Sequence, residues 1–91
     1  SMIGIVPAGR PLQVNPEPVA SNKFLFTLPF TFHHLTVFFT GPPPPGLGAA
    51  VYYASGRSDR WTLLGVLTVD KPSATFRLGG SNSGDAGMQI E

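Results

Sequence analysis

The sequence predicts an all-β domain, a β-sandwich of jelly-roll type, and three observations support this prediction. Short runs with apolar residues at every second position recur along the chain, a pattern typical of half-buried strands. Loops rich in Pro, Gly, Ser and Asp separate these runs at regular spacing. No segment shows the apolar period of an amphipathic helix. The 91 residues suit one domain, residues 1–91.

The amino-terminal part is predicted to contain one strand and a proline-containing loop. Residues 3–6 are a short apolar run that Pro7 ends, and alternation resumes briefly at residues 12–14. Residues 15–18 include two prolines, which remove two backbone donors, so we expect a loop there.

Two stronger strand candidates follow, at residues 23–28 and 35–40. The first alternates large apolar side chains on one face with a mixed second face. The second is rich in β-branched and aromatic residues, which favour a sheet, and its alternation turns Phe38 and Phe39 to opposite sides. The connector between the two strands carries two aromatic residues, which are expected to cover apolar surface.

The middle of the chain combines a stiff loop with another strand. Four consecutive prolines at residues 42–45 predict a stiff crossover, although their P-x-x-P pattern would also fit an SH3-type groove. Residues 49–54 form the next predicted strand, in which Tyr52 and Tyr53 point to opposite faces. A polar hairpin loop is expected at residues 55–60.

The last third of the chain is predicted to contain two strands and a flexible loop. Residues 61–69 are the longest strand candidate; one face of it is expected to carry Trp61, Leu63, Gly65 and Leu67, with Trp61 as a core anchor. Residues 73–78 alternate cleanly, with their apolar side chains inward. Residues 79–87 are rich in Gly and polar residues and predict a flexible loop, after which residues 88–90 begin one more strand.

The two ends of the sequence suggest a fragment. Ser1 stands before Met2 and looks like a remnant of a cleaved tag, so it takes no part in the fold prediction. Because the sequence stops just after a strand candidate begins, we expect a truncated piece of a longer protein.

Composition predicts an exposed apolar surface. Charged residues make up 12% of the chain, about half the usual share, whereas hydrophobic residues reach 42%. A small domain with so few charges cannot cover its apolar surface, and such patches usually mark interfaces. The net charge of +1 and the scattered Lys and Arg residues give no sign of nucleic-acid binding. No apolar run reaches the ~18 residues of a membrane span, and the lack of Cys fits a reducing compartment.

The sequence shows no catalytic constellation, so we expect no enzyme, no cofactor and no metal site. Two histidines are the available bases, and the carboxylates lie mostly in predicted loops. His33 and His34 are adjacent and would point to opposite faces of a strand, which makes them a poor metal pair. The outward aromatic residues of the central strands fit a dimer interface and a ligand contact equally well. From alternation alone, the candidate protein-binding residues are Phe38, Phe39, Tyr53 and Leu64.

Several motifs together resemble the amino-terminal domain of the Hikeshi family. They are Ala8-Gly9-Arg10, Lys23-Phe24-x-Phe26-x-Leu28-Pro29, Gly46-Leu47-Gly48, Val51-Tyr52-Tyr53, Trp61-x-Leu63-Leu64-Gly65 and Lys71-Pro72-Ser73-Ala74-x-Phe76. This family comprises nuclear import carriers of the seventy-kilodalton heat-shock chaperones. The Leu-Leu-Gly and Lys-Pro-Ser-Ala motifs, at their separation, are the most specific part of the match.

The resemblance implies a jelly-roll sandwich, a homodimer, residence in cytoplasm and nucleus, and two classes of partner. Nucleoporin Phe-Gly repeats would be held in apolar pockets of this domain, and the ATP form of the chaperone would be bound together with the rest of the chain. One departure is a shorter Gly-rich segment after residue 78 that lacks the family's own Phe-Gly. A carbohydrate- or peptide-binding jelly roll, and a structural domain that only dimerises, are the alternative functions.

Overall fold

Eight antiparallel strands form the fold in the computed structural model, which describes residues 2–56, 60–78 and 83–90. They are β1 (Ile3–Pro7), β2 (Glu17–Ala20), β3 (Lys23–Leu28), β4 (His34–Phe39), β5 (Ala49–Ser55), β6 (Thr62–Leu67), β7 (Ser73–Arg77) and β8 (Gly84–Ile90). The described residues include no helix, and hence no helix that is long and apolar enough to cross a membrane. The predicted all-β class is confirmed.

Two sheets pack face to face as a sandwich, as predicted. The smaller sheet has the order β1-β4-β7, and the larger sheet has the order β2-β3-β8-β5-β6. Residue Gln13 extends the smaller sheet beyond β1, because its N–H and C=O both pair with the backbone of Ile5. The larger sheet therefore has β2 and β6 as its edges and β8 at its centre.

The core lies between the sheets and is made from the inward positions that alternation predicts. Large buried side chains come from both layers; they include Ile3, Ile5, Leu35 and Val37 from the smaller sheet and Phe26, Leu28, Val51, Leu67 and Met88 from the larger one. Each such side chain contributes roughly 1.5–3 kcal/mol when it leaves water. This shared core fixes which face of each strand remains outside.

Strand β8 corrects the largest error of the sequence prediction. Residues 83–87 were expected to belong to a flexible loop (residues 79–82 lie outside the described residues), but β8 starts at Gly84 and pairs with β3 on one side and β5 on the other. A Cβ atom on Gly84 would meet the Ala54 carbonyl oxygen and lie 2.6 Å from the Tyr53 hydroxyl oxygen. The small residues are therefore a packing requirement of a central strand, and intrinsic β-propensity is overridden.

Strand β6 is shorter than predicted and changes face midway. Residues 61–69 were expected to form one strand with a single apolar face, but β6 covers only Thr62–Leu67. Val51 pairs with Gly65 and Tyr52 with Leu63, so that Leu64 is an extra, bulged residue. The bulge leaves Leu67 in the core, whereas Leu63 is 54% exposed on the opposite face.

Strand β2 occupies part of the segment that was predicted to be a loop. Residues 15–18 were expected to be irregular, yet Glu17 and Pro18 pair with Leu25 and Phe24 of β3. A proline is tolerated there because β2 is an edge strand, with one side free of ladder hydrogen bonds. The hairpin loop predicted at residues 55–60 lies partly outside the described residues.

An aromatic column closes one end of the sandwich and explains the two aromatic residues of the β3–β4 connector. Phe32 is buried and packs edge-to-face against Phe30 and against Tyr53, with ring centroids 6.2 and 6.0 Å apart. The Arg10 guanidinium lies 4.8 Å from the centre of the Phe30 ring and donates hydrogen bonds to the Thr31 carbonyl oxygen. Arg10 follows a tight turn in which Gly9 has a φ of 86°, a value that favours glycine.

Candidate protein-binding groove

The outer face of the larger sheet carries a row of apolar residues around a glycine. Leu25 of β3 and Tyr52 of β5 are the Cα partners of Gly87 in β8, and Tyr52 is also the partner of Leu63 in β6. Residues paired in this way share one face of a sheet. Since the neighbours of Gly87 along β8, Ala86 and Met88, belong to the core, this row faces away from it.

The Trp61 ring lies over Gly87, the floor of this row. A Cβ atom on Gly87 would be 3.1 Å from Cζ3 and 3.5 Å from Cη2 of Trp61. The side chain remains 47% exposed, so the prediction that Trp61 is a core anchor is wrong. A glycine at this position allows an aromatic ring to approach the backbone of the sheet closely, because no side chain intervenes.

These residues line a groove of about 340 Å³, which we call the outer groove. Its lining consists of Val19, Lys23, Phe24, Leu25, Tyr52, Trp61, Gly87, Met88 and Gln89. The volume lies at the small end of the range of about 300–1,000 Å³ that is usual for ligand pockets. The outer groove therefore suits one or two side chains of an extended segment.

Two polar side chains lie together at one end of the outer groove. Lys23 and Gln89 are Cα partners in the β3–β8 ladder, one row beyond Leu25 and Gly87. At the other end, Asp85 occupies the outer face of β8 opposite Thr27. The outer groove thus has an apolar middle, a positive end and a carboxylate beyond its opposite end.

The four sequence-predicted binding residues do not meet in one surface. Phe39, Tyr53 and Leu64 are partly buried and pack against the core, so the expectation that they face outward is wrong for these three. Phe38 lies on the outside of the smaller sheet, where its ring packs over Gly4 and beside Val14. Binding through any of these residues stays a prediction.

Tyr53 has an environment that sets it apart from Tyr52. Burial raises the pKa of the Tyr53 phenol, and the nearby carboxylate of Asp85 raises it further. Both causes oppose formation of a phenolate in the folded domain. Tyr53 therefore acts as a neutral member of the aromatic column and not as an acid or base at ordinary pH.

The described residues offer no metal-binding arrangement around the outer groove. No three side chains of His, Cys, Asp or Glu come close enough there, or elsewhere in residues 2–56, 60–78 and 83–90, to hold a metal ion. Over the same ranges, every buried side-chain nitrogen or oxygen has a hydrogen-bond partner. The groove can therefore recognise a ligand by apolar burial and a few polar contacts.

Sequence reasoning missed the outer groove because two of its elements were assigned wrongly. Composition predicts a loop at Gly87, and alternation predicts that Trp61 lies on the core face of a regular strand. A signal was nevertheless present in β3, where Leu25 alternates with Lys23 and Thr27 and so is an apolar residue on a polar face. Tyr52 gives a similar signal: it follows the core residue Val51 in β5, so alternation turns its side chain to the outer face.

Comparison with known proteins gives consistent results. The family model described as "Hikeshi-like, N-terminal domain" matches residues 6–90. "Protein Hikeshi" of Danio rerio is 44% identical over 91 residues, covering 92% of this chain and 46% of the relative. The proteins of the same name in Gallus gallus and Homo sapiens are 43% and 41% identical, covering 91% and 92% of this chain. The chain thus spans slightly less than half the length of these curated relatives, 46% in each case.

Proposed function

The chain belongs to the Hikeshi-like N-terminal domain family, and on this premise we propose that it is the Phe-Gly-binding domain of a nuclear import carrier. In this proposal the outer groove holds phenylalanine side chains of nucleoporin repeats. The domain is a binding module and not an enzyme. The observation that supports the proposal is an apolar groove, floored by Gly87 and flanked by Trp61 and Tyr52, on the exposed face of a sheet.

The size and lining of the outer groove suit weak and repeated binding. A buried phenylalanine side chain contributes roughly 1.5–3 kcal/mol through loss of apolar surface from water. Edge or face contacts with Tyr52 and Trp61 add about 0.5–1.5 kcal/mol for each well-placed ring pair. Binding of this strength is reversible, which is what passage through a mesh of Phe-Gly repeats requires.

The remaining parts of the proposal concern the whole protein. We propose that the full-length chain is a homodimer that carries the ATP form of a seventy-kilodalton heat-shock chaperone between cytoplasm and nucleus. Sedimentation of the full-length protein over a range of concentrations, with and without the ATP-loaded chaperone, tests both dimer formation and chaperone binding. A full-length protein that stays monomeric at every concentration and does not bind the chaperone would contradict this part of the proposal.

The test of groove binding is an NMR titration of the domain with a short Phe-Gly repeat peptide. The expected result is a set of localised, weakly saturating shifts at the amides of Leu25, Tyr52 and Gly87. A Ser-Gly peptide of the same length should produce none of them. Shifts centred on Phe38 and Phe39 would move the site to the smaller sheet, and no shifts at millimolar peptide would contradict binding by this domain.

A matched pair of variants separates the groove from general apolar exposure. Leu25→Ala removes a wall of the outer groove and is expected to weaken peptide binding several-fold. Leu12→Ala removes an equally large side chain that is 56% exposed outside the groove lining, and it should leave the affinity unchanged. Equal losses in both variants would indicate non-specific apolar adhesion.

A further inference from the structure

Lys23 gives the outer groove a feature that aromatic binding alone does not use. It is the one charged residue of the groove lining in the part of the chain that the structure describes. Its side chain is exposed, and within the described ranges its ammonium group has no ion-pair partner. Gln89 stands beside it in the β3–β8 ladder and offers an amide that can donate to an anion.

The spacing along β8 fixes the distance between the Lys23–Gln89 end of the outer groove and its apolar middle at Gly87. Gly87 and Gln89 are two positions apart on the same face, which corresponds to roughly 6.6–6.8 Å along an extended strand. An extended peptide lying over the sheet has the same two-residue repeat between side chains on one side. A ligand ring packed beside Trp61 and Leu25 would therefore place the side chain two positions away beside Lys23 and Gln89.

The opposite end of the face has the opposite sign. Asp85 lies two positions from Gly87 in the other direction and faces outward in register with Thr27. A peptide carboxylate placed at that end would meet a like charge, whereas at the Lys23 end it would meet a cation. The charge pattern along β8 thus favours one direction of the bound peptide.

We propose that the outer groove recognises an extended peptide in which an acidic residue stands two positions from an aromatic anchor. The aromatic ring packs beside Leu25 and against the Trp61 ring that covers Gly87, and the carboxylate pairs with the Lys23 ammonium and the Gln89 amide. This inference rests on the proposed binding of Phe-containing repeats, and it adds a charge requirement. Because the pair is exposed, it contributes modestly to affinity and more to the choice between segments.

The test uses four matched peptides and follows both NMR shifts and Trp61 fluorescence. Trp61 is the single tryptophan of the chain, so its emission reports on the groove directly. Three peptides carry Glu, Gln or Lys two positions from Phe, and a fourth keeps Glu but replaces Phe with Ser. The Glu peptide should bind up to about fivefold more tightly than the Gln peptide at low salt. The Lys peptide should bind most weakly of the three that contain Phe.

Two controls assign the preference to Lys23. The preference for the Glu peptide over the Gln peptide should disappear in 1 M salt, where the screening length is about 3 Å, and in the Lys23→Gln variant. Lys71→Gln removes a second exposed lysine outside the groove lining and should keep the preference.

Each remaining outcome has one meaning. Equal binding of the three Phe peptides overturns the charge requirement while groove binding stands. The requirement is also overturned if Lys23→Gln keeps the preference, or if the Ser peptide binds as well as its Phe counterpart. Failure of every peptide to bind overturns both the charge requirement and the proposed function of the domain.

Discussion

The two outer faces of the sandwich differ sharply, although their inner faces are alike. On the smaller sheet, the hydroxyl groups of Thr36 and Thr75 form a hydrogen bond of 2.9 Å and Ser73 and Arg77 are exposed around them, while the Phe38 ring packs over Gly4. On the larger sheet, the corresponding positions carry Leu25, Tyr52 and Leu63. The first pattern is what an antiparallel sheet facing water usually shows. The second leaves apolar side chains outside the core, and a patch of this kind usually marks an interface, which is the role that we propose for the outer groove.

The sharpest test of this comparison uses two leucines of the same strand. Leu28→Ala removes a fully buried side chain of β3 and is expected to lower the free energy of unfolding by about 2–5 kcal/mol. Leu25→Ala, three positions earlier on the outer face, should cost about 1 kcal/mol or less, because its side chain is only partly buried. Urea denaturation measures both, and similar costs would show that the two faces of β3 are not distinct.

A pair of glycines in β8 extends the test to the backbone. Gly84→Ala introduces a Cβ atom against the Ala54 carbonyl oxygen and 2.9 Å from the Ser55 Cα atom, so the backbone must move. We expect a loss of about 1–3 kcal/mol or more. Gly87→Ala meets only the exposed Trp61 ring, which can shift, so its cost in stability should be under about 1 kcal/mol.

Binding should reverse the order of these two glycine variants. Gly87→Ala displaces the Trp61 ring that lines the outer groove and is expected to weaken Phe-Gly peptide binding, whereas folded Gly84→Ala should retain it. Calorimetric unfolding and peptide titration of both variants supply the comparison. Normal binding by the Gly87→Ala domain would show that the position of the Trp61 ring over Gly87 does not matter to the proposed site.

The polar face should respond weakly to change. Thr75→Val removes the exposed hydroxyl hydrogen bond to Thr36 and is expected to alter the free energy of unfolding by about 0.5 kcal/mol. Peptide affinity should stay the same, because Thr75 belongs to the other sheet. Parallel denaturation and peptide titration of this variant check both statements. A loss of peptide binding would indicate that the binding site lies on the smaller sheet and not in the outer groove.

The smallest expected effect on the free energy of unfolding comes from ionisation of Tyr53, and it is absent at neutral pH. Its pKa is raised in the folded domain above the ordinary value of about 10 by burial and by Asp85. As the pH rises above about 10, the unfolded chain releases the phenolic proton more readily, so stability falls until the folded pKa is passed. Tyr53→Phe should reduce this alkaline loss of stability relative to the parent domain, as measured by denaturation between pH 9 and 11. An unchanged pH profile would show that other groups dominate.

The sequence supported the fold better than it supported the site, for physical reasons. β3, β4, β5 and β7 follow the period-two pattern because each has one face in the core. The first part of β8, residues 84–87, was missed because Gly84, Ala86 and Gly87 lower β-propensity, and only the neighbouring Ala54 and Tyr53 show why a small residue is needed at Gly84. The bulge at Leu64 is set by pairing between strands, so no local pattern predicts that Leu63 and Leu67 point to opposite faces.

Folding kinetics follow from the position of β8 between two strands that are remote in sequence. Lys23 pairs with Gln89 and Ala49 with Ile90, so the larger sheet closes only through pairs of residues that lie 66 and 41 positions apart in the chain. Such non-local pairing slows folding, because loop entropy is lost before the contacts stabilise the fold. Until β8 inserts, β3 and β5 each present an open edge, the kind of edge through which partly folded chains aggregate. During synthesis both edges stay open until residues 84–90 have left the ribosome.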